Sequence, residues 1–245
     1  MKSINTQQTV GDIVTQAPGL SRVFESLGID YCCGGRKTLT EACQQRGLDP
    51  REVLSKLQQG NRTAADSAAL VDVSTMSLTE LADHIEKTHH AYLHEELPRL
   101  AEMTQKVTTV HGEKDPRLQQ VQETFRAMAL ELWRHMFKEE ECLFPMIRRL
   151  EAGDREASIH CGTIANPIRQ MESEHDDAGS ALERLRELTD GFAPPEWACK
   201  MYRALLAGLA FLERDMHSHV HKENSGLFPR ALEMETQVQR KLPIS

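Results

Sequence analysis

The chain carries one short motif twice, and the spacing within that motif restricts the fold more than any other feature of the sequence. Residues 135–145 read HMFKEEECLFP and residues 219–229 read HVHKENSGLFP, so the second copy begins 84 residues after the first. Each copy begins with His, and a Glu follows four residues later, at Glu139 and Glu223. On an α-helix this spacing places both side chains on one face, with Cβ atoms about 5–6 Å apart. The motif therefore predicts two equivalent helices that each present an imidazole and a carboxylate together.

One such pair alone is also what an amphipathic helix with an incidental His and a solvated Glu shows. The Lys before each Glu and the Leu-Phe-Pro tail, common to both copies, favour a metal-ligand pair instead. Two further histidines extend the repeat, because His90 lies 45 residues before His135 and His175 lies 44 residues before His219. Each half then predicts a helical hairpin, and two hairpins predict a four-helix bundle whose ligands project into the core.

The six candidate ligands supply four imidazoles and two carboxylates. One ion seldom uses six such side chains, whereas two ions bridged by two carboxylates would use all of them. Such a pair leaves room for a bridging oxo or hydroxo group and for an exogenous ligand. Nitrogen and oxygen ligation without thiolate suits iron or manganese better than structural zinc. Carboxylate-bridged sites in helical bundles hold di-iron or di-manganese centres.

Composition restricts the function class. The 245 residues include 40% hydrophobic and 27% charged residues, which is ordinary for a protein in water. The formal net charge of −8 argues against nucleic-acid or anionic-membrane binding, which needs a basic patch. The first residues lack a signal peptide's apolar core, and no apolar run approaches the ~20 residues of a membrane span. Together with six cysteines that form no disulfide framework, this predicts a reducing, cytoplasmic compartment.

The sequence predicts an all-α fold with a small amino-terminal helical domain over 1–60, a linker over 61–77 and the bundle over 78–235. In the small domain Gly28 suits the end of a helix, and Thr38 with Glu41 forms a capping box. A last helix is predicted from Asp49-Pro50 to Leu57.

The bundle helices are predicted over about 77–110, 115–150 and 166–191, with a fourth from Pro194 through the second motif. Pro98 predicts a kink or a broken turn. Pro145 and Pro229, six residues beyond their glutamates, predict a bend or break past each metal pair.

Other polar residues of the bundle receive less specific predictions. His94, four residues after His90, is a candidate to support that ligand, and Glu174 is a candidate for the pocket edge. His89, His217 and His221 are predicted to be solvated, as is the charge run 138–141 apart from Glu139. Cys142 and Cys199 are predicted to be small buried residues within helices, and no role is assigned to Cys161.

Adjacent cysteines at Cys32 and Cys33 give a separate signal. Gly34 and Gly35 make the backbone mobile there, and the basic residues 36–37 with a following helix start supply positive potential. These conditions favour a reactive thiolate in redox, nitric oxide or iron-transfer chemistry. The alternative is that two small residues fill a tight turn. Cys43 is a third candidate thiol that the spacing does not require.

These motifs together resemble a known family. YCCGG near the amino terminus, followed by HMFKEEECLFP, MESEHDDAG and HVHKENSGLFPRA, is similar to the RIC (repair of iron centres) family of YtfE/ScdA-type di-iron proteins. The resemblance covers nearly the whole chain, with an ScdA-type domain and a hemerythrin-like domain. It implies two non-haem iron ions, with an oxo or hydroxo bridge. The terminal ligands it implies are His90, His135, His175 and His219, and the bridging ligands are Glu139 and Glu223.

The resemblance also implies a function. The expected protein repairs iron–sulfur clusters damaged by nitrosative or oxidative stress, by donating iron, with Cys32 and Cys33 as the reactive thiols. Expected partners are damaged Fe–S proteins or cluster scaffold proteins, with NO or O₂ as small ligands, and a homodimer is compatible with the sequence. The alternatives left open are an enzyme that reduces NO to N₂O and a sensor of O₂ or NO.

One departure from oxygen-carrying hemerythrins favours iron donation or NO chemistry. The positions four before and four after His175 hold Met171 and Gly179, where those proteins place a second His. Fewer imidazoles leave the irons more open to exchange.

Overall fold

The computed structural model describes residues 4–32, 34–64, 73–154, 157 and 162–240. Over these residues the chain is helical and forms no strand, and Thr9 and Thr38 make an isolated antiparallel β-bridge. The predicted all-α class is therefore confirmed. The α-helices are α1 Val10–Gln16, α2 Ser21–Ser26, α3 Leu39–Gln45, α4 Pro50–Ala64, α5 Leu78–Ile85, α6 Ala91–His111, α7 Arg117–Lys138, α8 Phe144–Glu151, α9 Ala165–Leu188, α10 Lys200–Lys222 and α11 Phe228–Arg240. Short 3₁₀ turns lie at Pro18–Leu20 and Val73–Thr75, and π turns lie at Glu86–His90, Glu139–Leu143 and Glu223–Leu227.

The chain divides into two compact units, one of residues 1–81 with 217–245 and one of residues 82–216. In the first unit, α1 to α4 bury a core that includes Val10, Phe24, Tyr31, Leu39 and Leu57. The predicted local signals are present. The Thr38 side chain accepts from the Glu41 amide while Glu41 accepts from the Thr38 amide, and Gly28 has a φ of 65° just after α2.

One boundary of the first unit was predicted wrongly. Helix α4 continues to Ala64 instead of ending near Leu57, so the first residues of the predicted linker are helical. Residues 65–72 of that linker lie outside the described residues. The division into domains over 1–60 and 78–235 stays a prediction.

The second unit is a helical bundle. Helix α6 packs on α7, and α7 packs on α9. Residues of α10 contact two of these helices, because Arg186 Nε of α9 donates to Glu213 Oε1 at 2.8 Å and Gly208 lies against Leu100 of α6. The antiparallel hairpins predicted from the repeat account for this arrangement.

The prolines do not begin the bundle helices where predicted. Helix α7 starts at Arg117 with Pro116 at the cap, and Asp115 Oδ1 accepts the Arg117 amide at 3.2 Å. Helix α10 starts at Lys200 instead of Pro194. The reason is local, since Arg203 donates to the carbonyl of Ala198 at 3.0 Å and holds the preceding residues in a turn.

The cysteines also differ from expectation. Cys142 and Cys199 are exposed, so the prediction that both are buried is wrong, and Cys199 precedes α10 instead of lying inside it. Cys43 is fully buried, and burial together with nearby Asp49 raises the pKa of its thiol. Cys43 therefore belongs to the core of its unit. Cys161 lies outside the described residues.

No helix in the described part of the chain combines the length and apolar character needed to cross a membrane.

Candidate metal centre

The helix that carries the first motif changes its winding at the ligand. Glu139 is the first residue of the π turn Glu139–Leu143, in which the amide of Phe144 donates to the Glu139 carbonyl. The next residue, Pro145, has no amide hydrogen, and in an α-helix its ring would clash with the carbonyl four residues back. The wider turn lets the helix continue as α8, so the helix does not break at Pro145, and a bend there stays a prediction. The second motif repeats these features at Glu223, Phe228 and Pro229.

A third π turn precedes another candidate ligand. His90 is the last residue of Glu86–His90, and the Ala91 amide donates to the Glu86 carbonyl. Helix α6 then continues through Pro98 without a break. Among the described residues, every π turn therefore begins or ends at a predicted ligand. Such turns occur frequently at functional sites, because they re-aim side chains within a helix.

Four predicted ligands of the second unit converge in its buried interior. Oε2 of Glu139 lies 3.3 Å from Nε2 of His90 and 3.3 Å from Nε2 of His135. Nε2 of His175 lies 3.1 Å from Nε2 of His135. All four side chains are buried, and the ligand atoms of His135, Glu139 and His175 lie within 4.8 Å of one another. The described residues thus contain a His/Glu group able to hold a metal ion.

The outer ring nitrogens of two of these histidines face carboxylates. Nδ1 of His90 lies 2.8 Å from Oε1 of Glu140, and Nδ1 of His135 lies 3.0 Å from Oε2 of Glu174. A carboxylate at Nδ1 holds the proton there, which leaves the Nε2 lone pair directed at the centre. This is the arrangement that supports a metal-binding imidazole in proteins.

Glu174 is the centre of a small polar network. Burial would raise the pKa of Glu174, but hydrogen bonds from His135, Lys138 and Gln170 outweigh burial and lower it to about 2. Glu174 therefore stays ionised as the acceptor for His135. His94 has a similar supporting position, because its Nε2 lies 3.3 Å from Oε1 of Glu140.

The geometry of the second unit fits a metal ion. Ligand atoms about 2.1 Å from one ion and at right angles to each other lie about 3.0 Å apart. The observed separations are 3.1 Å and 3.3 Å. With the protons on Nδ1, the Nε2 lone pairs of His90 and His135 face an oxygen of Glu139. Such electron pairs repel in a buried site unless a cation lies between them.

The other two predicted ligands lie together in the first unit. Nε2 of His219 is 2.8 Å from Oε1 of Glu223, and both side chains are fully buried. Their i, i+4 relationship at the end of α10 matches that of His135 and Glu139 at the end of α7.

The predicted thiol loop is also in the first unit. Cys32 is buried, and its Sγ lies 3.0 Å from Oδ1 of Asp30. The carboxylate of Asp30 also accepts the amides of Cys32 at 2.9 Å and Gly34 at 2.8 Å. The thiol thus donates a hydrogen bond to the carboxylate of Asp30, a partner that the sequence analysis did not predict. Cys33 lies outside the described residues.

The residue before Cys32 packs against the helix that carries His219. The ring of Tyr31 lies 5.9 Å from the imidazole of His217 and 5.6 Å from that of His221, edge-on to both. Nε2 of His221 also lies 3.3 Å from Oγ1 of Thr15. Burial lowers the pKa of His221 to about 4. A hydrogen bond to the Tyr31 backbone would raise this pKa, but the effect of burial is larger. The prediction that these two histidines are solvated is therefore wrong.

Sequence reasoning missed two further residues near the ligands. Glu140 was predicted to be solvated but supports His90, and His89 was predicted to be a surface residue but is buried with Nδ1 2.9 Å from Asp215. Both errors come from α-helical geometry, which separates neighbouring side chains by about 100°. The π turns at these positions, and partners distant in sequence, give no periodic signal.

Comparison with known proteins gives matches over both parts of the chain. The hemerythrin HHE cation binding domain matches residues 81–231, and ScdA_N, a domain of unknown function, matches residues 6–61. The fold and the His/Glu group thus define a hemerythrin-type cation-binding bundle preceded by an ScdA_N domain.

Relatives that match over nearly the whole chain identify the family more specifically. The iron-sulfur cluster repair protein YtfE of Pectobacterium atrosepticum is 36% identical over 228 residues, which cover 93% of this chain and 98% of the relative. The YtfE protein of Enterobacter sp. (strain 638) is 37% identical over 92% of this chain and 96% of its own length. A probable iron-sulfur cluster repair protein of Haemophilus influenzae is 35% identical over 92% of this chain and 97% of its own. The chain belongs to the YtfE family that these relatives represent.

Proposed function

We propose that this protein repairs damaged iron–sulfur clusters by donating iron held in a two-iron site. The observation that supports this function most directly is the convergence of His90, His135 and His175 on the buried carboxylate of Glu139, with ligand-atom distances that suit a metal ion. The names of the relatives identify them as iron-sulfur cluster repair proteins.

Six residues would hold the two irons. His90, His135, His175 and His219 would supply the imidazole ligands, and Glu139 and Glu223 would supply the carboxylates. The irons would provide both the cargo for repair and the redox chemistry of the protein. In this proposal the residues around the ligands set the affinity, since Glu140 and Glu174 fix the protons on Nδ1 and direct Nε2 inward.

The thiols of Cys32 and Cys33 would receive iron as it leaves the proposed metal site. Cys32 follows Tyr31, which packs against the turn of α10 that carries His219, so the loop and this ligand belong to one packed unit. Ionisation of the Cys32 thiol requires loss of its hydrogen bond to Asp30, because the resulting thiolate would face a carboxylate. An approaching iron cation supplies the compensating charge. In this proposal the Cys32 thiol therefore loses its proton only on binding an iron cation. Cys33 is the second thiol of the pair.

The test begins with metal content. Protein purified without added metal should contain about two irons per chain. His135→Ala should lose most of this iron, whereas His84→Ala, at a histidine outside the proposed ligand set, should retain it. A protein with a single zinc, or with no metal in the wild type, would contradict the two-iron site.

Repair is tested with a ferredoxin-type [4Fe–4S] protein damaged by nitric oxide. The iron-loaded protein should restore the cluster absorbance, and Cys32→Ser with Cys33→Ser should slow recovery while the iron content stays unchanged. Cys142→Ser is the matched control, since Cys142 is an exposed thiol on another element. Recovery at the wild-type rate in the double variant would remove the thiols from the mechanism. Failure of the wild type to restore clusters, with N₂O release from added NO, would establish the NO-reducing alternative instead.

A further inference from the structure

A second group of reactive side chains lies where α6 ends and α10 begins. His111 is the last residue of α6, and Cys199 immediately precedes α10. Nε2 of His111 lies 3.2 Å from Sγ of Cys199, within hydrogen-bonding distance for a sulfur atom. The thiol is exposed to solvent, and both residues are remote in sequence from every proposed metal ligand.

The sulfur of Cys199 receives a second polar contact from the helix it precedes. The amide of Tyr202 donates to Sγ at 3.4 Å, and the amide of Arg203 donates to the Cys199 carbonyl at 3.0 Å. Cys199 thus occupies the cap position of α10. An amide directed at the sulfur and the positive end of a long helix both stabilise negative charge on that atom. The tautomer of His111 that carries its proton on Nδ1 then accepts the S–H hydrogen at Nε2.

The imidazole is fixed in place by aromatic side chains. The His111 ring lies 5.9 Å from the Tyr202 ring, nearly parallel to it, and 5.6 Å from the Trp197 ring. The ammonium group of Lys114 sits 4.2 Å from the centre of the Trp197 ring. Tyr202 itself is buried, and its hydroxyl lies 3.4 Å from Oδ2 of Asp115. These ring contacts hold the imidazole of His111 next to the sulfur of Cys199.

The other described thiols lack this arrangement. Cys43 is fully buried in a core, and Cys32 donates to the carboxylate of Asp30. Cys142 is exposed like Cys199, but no hydrogen bond joins it to an imidazole within the part of the chain that the structure describes. An exposed thiol with an adjacent base is the arrangement that activates a cysteine nucleophile.

We propose that Cys199 and His111 form a nucleophilic thiol centre that reacts with hydroperoxides, independently of the metal site. His111 takes the thiol proton, and the sulfur attacks one peroxide oxygen. The S–O bond forms as the O–O bond breaks, and the leaving oxygen takes the proton back from the imidazolium. Sulfur is oxidised by two electrons to a sulfenic acid and the peroxide is reduced to water, or to an alcohol for an organic hydroperoxide. A soluble thiol then attacks the sulfenic acid, which forms a mixed disulfide and releases water. A second soluble thiol reduces this disulfide and restores the Cys199 thiol.

The experiment compares two thiols in one molecule. The full-length, metal-loaded protein is treated with substoichiometric hydrogen peroxide in the presence of a sulfenic-acid trap, and the labelled peptides are quantified by mass spectrometry. Proton transfer to an adjacent general base contributes about 10²- to 10⁴-fold in rate, which a thiol without such a base lacks. We expect Cys199 to be labelled at least about tenfold faster than Cys142.

Cys142 is also the control for radicals formed at the metal. It lies in the π turn that begins with Glu139, so radicals from a metal site there should label Cys142 at least as fast as Cys199. Equal labelling, or faster labelling of Cys142, would overturn the proposal. The comparison needs no substitution, so it holds even if a variant folds poorly.

Two variants distinguish the effect of the His111 base on Cys199 from the effect of nearby positive charge. His111→Gln removes the proton acceptor and should slow Cys199 to the rate of Cys142, with Cys142 itself unaffected. Lys114→Gln removes a nearby charge without removing the base and should leave Cys199 within about twofold of wild type. Retention of fast labelling in His111→Gln, or its loss in Lys114→Gln alone, would show that no Cys–His pair is responsible.

Discussion

Glu140 and Glu139 are consecutive residues that contact opposite ring nitrogens of one histidine. Oε1 of Glu140 lies 2.8 Å from Nδ1 of His90, and Oε2 of Glu139 lies 3.3 Å from Nε2 of the same ring. Neighbours on an α-helix diverge by about 100°, which separates their side chains. The π turn that begins at Glu139 changes this relationship and brings both carboxylates to His90. One carboxylate is then placed to bind a metal, and the other to orient the imidazole.

Loss of the Glu140 carboxylate should weaken metal binding without removing a ligand. Substitution of partners of this kind costs about 10- to 100-fold in metal affinity. We expect Glu140→Ala to lie in that range, and Glu140→Gln, which keeps an acceptor but no charge, to lie near its lower end. Anaerobic competition with a colorimetric iron chelator gives the affinities. Glu141→Gln is the control, because Glu141 is the exposed neighbour. Equal affinities for Glu140→Ala and Glu141→Gln would contradict the role of Glu140.

The proposed metal ligands could be picked out from the sequence because their signal is local and repeated. The i, i+4 spacing of His135 and Glu139, and its recurrence at His219 and Glu223, follow from helical geometry alone. Glu140 was not predictable in this way. Its partner, His90, is 50 residues away, and the second motif has Asn224 at the equivalent position. Supporting contacts between helices depend on packing, which periodicity does not encode.

Tyr31 should contribute to stability mainly through its ring. The ring packs against His217 and His221, and burial raises the pKa of the hydroxyl, which donates to Oε1 of Glu25 at 3.0 Å. Tyr31→Phe keeps the ring and should lower the free energy of unfolding by about 1 kcal/mol. Tyr31→Ala leaves a cavity and should lower it by about 3–5 kcal/mol. Urea unfolding measures both values. Similar losses in the two variants would mean that the hydroxyl, not the packing, is what matters.

The contact of Tyr31 with His217 and His221 shows a second limit of sequence reasoning. The alternating His217, His219, His221 pattern places the proposed ligand His219 on a different helix face from its neighbours, but it does not identify what covers the opposite face. That face is covered by the loop of Tyr31, nearly two hundred residues earlier. Local signals such as the Thr38–Glu41 capping box were confirmed, whereas burial created by distant segments was not predicted.

A methyl group at Gly35 should disturb the thiol loop. A Cβ there would lie 2.7 Å from the Tyr31 carbonyl oxygen and 3.0 Å from that of Cys32, and both are backbone atoms that cannot rotate away. Gly35→Ala should therefore destabilise the protein by about 1–3 kcal/mol. Gly208→Ala is the matched control, because the nearest atoms to its Cβ would belong to flexible side chains, Leu100 Cδ2 at 2.7 Å and Arg99 Nη2 at 3.5 Å. Rotation of Leu100 and the gain in helix propensity, about 1 kcal/mol, should make that change far less costly. An equal loss of stability in both variants would contradict this account of Gly35.

Asp115 should link stability to acid pH. The hydrogen bond from Arg117 holds the pKa of Asp115 below its ordinary value despite burial, and Arg117 also pairs with Asp190 at 2.8 Å. Because the folded-state pKa is lower than the unfolded one, the ionised carboxylate stabilises the protein above the unfolded value of about 3.9. This contribution decreases as the pH falls through the folded pKa. Asp115→Asn removes the titration, so its deficit relative to wild type should be constant near neutrality and shrink below pH 4. Both proteins share the proposed metal ligands, so the titration of those residues cancels when the two unfolding free energies are subtracted. A deficit that stays constant into the acid range would show that Asp115 gains no stability from its charge.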